Sequence, residues 1–133
     1  MQNTMTFLGR IAVALIFVIS GLSKIGAFQM TVQHMEGHGL PAAPVLLFGA
    51  IVIELAGGLM IISGYKARLG GLLLAIFLIP TTYIFHFKAA IDPSFNVINK
   101  AQLIEVLKNV AIFGVLLLVF GHGPGKLAIG GGK

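Results

Sequence analysis

The stretch APVLLFGAIVIELAGGLMIISGYKARLGGLLLAIFLIPTTYIFHF, residues 43–87, decides the fold. It holds two apolar runs, 43–64 and 67–87. Each is close to the ~20 residues that a helix needs to cross a ~30 Å hydrocarbon core. Pro41 and Pro44 mark the start of the first run, and Ser63-Gly64 end it. A link this short forces the two helices to run antiparallel. Neither run alternates as a lipid-exposed strand would, and open strand edges have no partners in lipid, so a barrel is excluded.

Two further apolar runs flank this hairpin, at about 5–27 and 103–121. Asp92-Pro93 breaks the chain after the hairpin, and Gly121, Gly123, Pro124 and Gly125 close the last run. Phe28, Val32 and Met35 fall at i, i+4 and i+7, which predicts a short interfacial helix between the first and second spans. The expected fold class is therefore all-α membrane: an antiparallel four-transmembrane-helix bundle with that short helix, in one domain over residues 1–133.

Composition agrees. Of the 133 residues 57% are hydrophobic and 10% charged, and the mean hydropathy is +1.00. Soluble domains carry about a quarter charged residues, so a solvated globular enzyme and a disordered chain are both excluded. The net charge of +5 is spread along the chain, with no Lys/Arg cluster of the kind nucleic acid needs. The partner it implies is the lipid bilayer. Lys66, Arg68, Lys126 and Lys133 fall on the side of both termini, against Lys88 and Lys100 on the other, which favours N-in and C-in.

The polar residues inside the apolar runs carry the functional information: Arg10, Lys24, Glu54, His86, Glu105 and Lys108. A charge at a helix centre costs ~2.5–3.5 kcal/mol on insertion scales. Lys24, His86 and Glu105 lie near span ends, where an interfacial anchor is the simple reading. Glu54 is about 17 Å into its helix at 1.5 Å per residue, too deep to reach water. It shares a face with Ala50, Gly57 and Gly58, small residues that admit a neighbouring helix. By depth Arg10 and Lys108 are the expected partners, with Ser20, Thr82 and Asn109 as hydrogen-bonding groups. Glu54 is then either half of a pair that fixes helix register or a carboxylate that handles a proton or ligand.

His34 and His38 are four residues apart, on the same side as His86. Their setting, His-Met-Glu-Gly-His, is not the zinc-protease pattern, and no metal site is assigned. The chain has no cysteine, which removes thiolate chemistry. Pro80 frees the carbonyl of Ile76 and should kink its helix, opening space beside Thr81 and Thr82.

Taken in order, these residues resemble the DoxX/DoxD-like membrane proteins. The resemblance rests on Arg10, Ser20-Gly21-Leu22-Ser23-Lys24-Ile25, Gly39-Leu40-Pro41, Glu54-Leu55-Ala56-Gly57-Gly58, Gly64 and Arg68. It continues through Phe85-His86-Phe87, Gln102, Lys108-Asn109-Val110-Ala111, Gly114 and Gly123-Pro124-Gly125. The tail after Gly125 departs from the family's usual ending. The resemblance implies a bacterial inner-membrane protein linked to quinone redox, oxidative-stress or sulfur metabolism. It places Arg10, Lys24, Glu54, His86, Lys108 and Asn109 at the family's polar positions, as ligand-binding candidates. Glu54 is the candidate proton-handling group, with a quinone as ligand and no intrinsic cofactor. No flavin, haem or iron–sulfur motif is present, so electrons would come from a redox partner protein. The alternative is a small-molecule carrier or a membrane scaffold subunit without redox chemistry. A small-residue face is compatible with a homodimer, though nothing in the sequence requires one.

Overall fold

Pro44 in the first turn of one helix and a left-handed glycine at its end set the boundaries of the central element, Ala43–Ser63. The structure is a computed structural model that describes residues 1–87 and 100–129, with side chains for all of these but 86, 87, 100 and 101. Five α-helices are seen among them: α1 Gln2–Gly26, α2 Phe28–Gly37, α3 Ala43–Ser63, α4 Ala67–Thr82 and α5 Lys100–His122. A π-helical turn, Tyr83–Phe87, continues α4. Among the described residues four stretches are long and apolar enough to cross a membrane: Gln2–Gly26, Ala43–Ser63, Ala67–Phe85 and Gln102–His122.

The bundle follows the expected topology. α1 packs chiefly on α3, α3 on α4 and α4 on α5, while α1 and α5 touch only lightly. Glycines let these helices approach. A Cβ on Gly58 would stand 2.8 Å from Val18 Cγ2 on α1, and one on Gly57 would stand 2.7 Å from Leu74 Cγ on α4. On Gly71 it would lie 3.0 Å from the Leu116 carbonyl oxygen of α5. The small residues face inward, and large apolar side chains such as Leu15, Ile19, Phe48, Leu59, Ile76 and Leu118 face outward. An apolar exterior over a glycine-lined interior is the arrangement lipid requires, because helices in a bilayer associate through close packing.

One apolar cluster joins Ala14, Phe17, Ile61, Leu74 and Leu116 from α1, α3, α4 and α5. A second joins Val32 and Met35 of α2 to Ala43, Leu47 and Ile51 of α3. The apolar stripe of α2 is thus used against α3. Pro80 sits inside α4, and the π-turn follows it directly. Proline and a π-turn are each places where the helical hydrogen-bond ladder is interrupted.

Gly64 is the point where only glycine fits. It ends α3 with φ +82, and a side chain there would collide with Ala128 of the C-terminal segment. That segment folds back over the end of α3, with the Ile129 amide donating to the Ser63 carbonyl at 2.9 Å. Asp92, Pro93 and Lys88 lie outside the described residues.

Candidate functional site

Glu54 is 3% exposed, in the middle of α3 between the two apolar clusters. Its Oε1 accepts a hydrogen bond from the half-buried Lys24 ammonium, forming an ion pair. Lys24 also donates to Ser20 Oγ at 3.0 Å. Among the described residues the second carboxylate oxygen, Oε2, has no partner. Gly21 lets α1 approach α3 at this level, since a Cβ there would sit 2.9 Å from Leu55 Cδ2 beside Glu54.

The partner of Glu54 is therefore Lys24, and neither Arg10 nor Lys108. Arg10 is buried at the other end of α1, where its Nη1 donates to the carbonyls of Ile61 at 2.8 Å and Ile62 at 3.2 Å. Its Nη2 donates to the Leu127 carbonyl. Arg10 thus caps the C-terminus of α3, where unpaired carbonyls and the helix dipole favour a cation. Arg68 does the same for α5, donating to the Phe120 and Gly121 carbonyls at 3.1 and 2.7 Å. Lys108 pairs with Glu105, one turn away, at 2.5 Å on an exposed helix face. Asn109 is buried and donates to Thr82 Oγ1 at 2.9 Å, tying α5 to α4. The side chain of His86 lies outside the described residues.

Beside the ion pair lies a cavity of about 530 Å³ between α1, α2, α3, α4 and the π-turn. Its walls are mostly apolar, among them Met35, Leu47, Ile53, Phe77 and Ile84. Pro80 and Thr81 line it, whereas Thr82 lines a separate groove with Tyr83 and Val110. Lys24 reaches the cavity, and Glu54 stands behind it. His34 and Phe85 are stacked, with centroids 5.5 Å apart and planes 17° from parallel, and both line the cavity. His38 leans on the same two rings, at 4.5 and 4.9 Å.

His34 and Phe85 are functional candidates in a role the sequence did not suggest, where His34 stood only as a candidate metal ligand and Phe85 only within the family pattern. The available signal was the spacing of Thr31, His34 and His38, which border the buried Val32–Met35 stripe at i, i+3 and i+7. Among the described residues no three His, Asp or Glu side chains come together as a metal site.

A four-span membrane bundle with a part-buried ion pair opening onto an apolar interhelical cavity is the class that this geometry defines. The family model of DoxX matches residues 5–87, and the chain belongs to the DoxX family. It is 31% identical over 128 residues to inner membrane protein YphA of Escherichia coli (strain K12), covering 96% of this chain and 89% of that protein. It is 30% identical over 129 residues to inner membrane protein YqjF of the same organism, covering 97% and 92%. A protein named as an oxidoreductase, CatD of Bacillus subtilis (strain 168), is 34% identical over 84 residues, covering 63% of this chain and 61% of that protein. No solved structure matches the chain.

Proposed function

We propose that this DoxX-family protein is the membrane subunit of a quinone-linked redox system, with its quinone held in the cavity beside Lys24 and Glu54. The observation that carries the reading is the Lys24–Glu54 pair at the wall of an apolar cavity of about 530 Å³. That volume lies within the ~300–1,000 Å³ typical of small-ligand sites. The name of CatD supports a redox setting, and the names of the two Escherichia coli relatives support the inner membrane. The basic residues Lys66, Arg68 and Lys126 support an N-in, C-in orientation.

A quinone supplies reversible uptake of electrons with protons. This chain's residues do the rest. Lys24 directs an N–H toward an acceptor oxygen in the cavity, and Glu54 balances the ammonium charge and exchanges the accompanying proton. The apolar walls and the stacked His34–Phe85 rings exclude water and hold a planar ring. A partner protein brings the electrons.

The test is native mass spectrometry of the protein in nanodiscs made from its own membranes, followed by titration with a naphthoquinone. Retained or titratable quinone, lost in Lys24→Met, is expected. Absence of any quinone, together with no binding on titration, overturns the reading.

A further inference from the structure

Among the described residues the polar side chains on the cavity wall are Lys24, Thr31, His34 and Thr81. Their donor capacity is unequally available. Thr31 Oγ1 donates to the Ala27 carbonyl and Thr81 Oγ1 to the Phe77 carbonyl, at 2.9 and 2.8 Å, so both hydroxyl protons are engaged within their own helices. Lys24 uses N–H groups on Ser20 and Glu54, and an ammonium has three. One N–H remains for a ligand. The imidazole of His34 has ring contacts with His38 and Phe85 and, among the described residues, no hydrogen bond to either ring nitrogen. It is exposed, whereas Lys24 is half-buried. The carboxylate that would attract a cation stands behind Lys24 rather than on the wall.

We infer that the cavity binds its ligand at two poles, Lys24 on the inner wall and His34 at the mouth. Its ligand class is a planar apolar molecule with a hydrogen-bond acceptor at each end. Two donors that reach an apolar slot from different helices, α1 and α2, recognise two acceptors, and the Lys24 charge disfavours a cationic ligand. The stack of His34 on Phe85 holds the imidazole edge in place, so little side-chain freedom is lost on binding. His34 is therefore a specificity-determining residue. This inference rests on the quinone reading and adds to it a residue and a rule for which compounds bind.

The experiment compares a naphthoquinone, with two carbonyl groups, against tetralone, its one-carbonyl analogue. Equilibrium dialysis uses the full chain in nanodiscs. The intact protein should prefer the diketone by about three- to tenfold, the worth of one net hydrogen bond. His34→Phe keeps a ring against Phe85 and removes the N–H, so the diketone should fall to the level of tetralone while tetralone binding stays unchanged. His34→Gln keeps a donor and should restore part of the preference. Equal loss for both compounds in His34→Phe, or a preference that ignores every His34 substitution, overturns the two-pole inference alone. Failure of the intact protein to bind either compound overturns it together with the quinone reading.

Discussion

Replacing Lys24 by Met removes one half of an ion pair whose other half cannot reach water. Glu54 is 3% exposed, its Oε1 is held by Lys24, and its Oε2 has no donor among the described residues. The substitution leaves a buried carboxylate with no hydrogen bond from the described residues. Breaking a buried pair from one side costs about 3–5 kcal/mol. The lower end, about 3 kcal/mol, is expected here because the Lys24 side chain is itself 25% exposed. Glu54→Leu should cost less, about 1–2 kcal/mol, because the stranded ammonium keeps Ser20 Oγ and can turn into the cavity. The double substitution Lys24→Met, Glu54→Leu replaces the pair by apolar groups of similar volume and should return to within about 1 kcal/mol of the parent. The coupling energy is then about 3–5 kcal/mol, at or above the top of the range for residues in contact. Unfolding equilibria in dodecyl sulfate mixed micelles, followed by helical circular dichroism, measure all four corners. Strictly additive single effects, with coupling under about 0.5 kcal/mol, would refute the pair as a coupled unit.

Arg10→Ala should destabilise the same equilibrium by about 2–4 kcal/mol, since it strands carbonyls at the end of α3 and releases Leu127. Hydrogen exchange at the Ile129 amide, which donates to Ser63, should rise with it. Gly71→Ala meets the Leu116 carbonyl at 3.0 Å and should cost about 1–3 kcal/mol. Gly114→Ala meets nothing within 4 Å and should be neutral or stabilising by up to about 1 kcal/mol. Equal effects at these two glycines would show that α4 and α5 do not pack as described. Thr82→Val leaves the buried Asn109 amide without its partner and should cost about 0.6–1.7 kcal/mol, the measured range for such bonds in membranes. Adding Asn109→Leu should recover most of that loss. Because the chain is free of cysteine, single cysteines at the exposed positions Met30 and Lys66 report sidedness directly. An impermeant maleimide added outside intact spheroplasts should label Met30→Cys alone if the orientation is N-in and C-in.

The spans were legible because proline, glycine and apolar run length act locally. Pro44, Gly64 and the Gly123-Pro124-Gly125 turn fall where the helices begin and end. Glu54 was legible for the same reason, since depth within one helix needs only its own sequence. Its partner was not, because pairing depends on the register between α1 and α3. Gly21 lies level with Leu55, to whose Cδ2 a Cβ would stand at 2.9 Å, and Lys24 lies one turn further along α1. Side chains on a helix lean toward its N-terminus, so Lys24 leans back over Ser20 and meets Glu54. Snorkelling outward would run against that direction, and this is why the anchor reading of Lys24 fails. Arg10 was misjudged in a related way: its depth was visible, but the open carbonyls of α3 at the same level were not. His34 and Phe85 depend on how α2 folds over the end of the bundle, a tertiary fact that no local spacing encodes.

The hold of Arg10 on Leu127 joins residues made 117 positions apart in synthesis. When α1 enters the bilayer, its guanidinium has neither the α3 carbonyls nor Leu127 to bind, so this buried cation must wait for most of the chain to emerge. The N-terminal helix thus reaches its final environment only after translation has passed residue 127. Membrane insertion and tertiary closure are separate events in time, and a ribosome stalled within α5 would leave four inserted or inserting spans around an arginine still lacking its last acceptor.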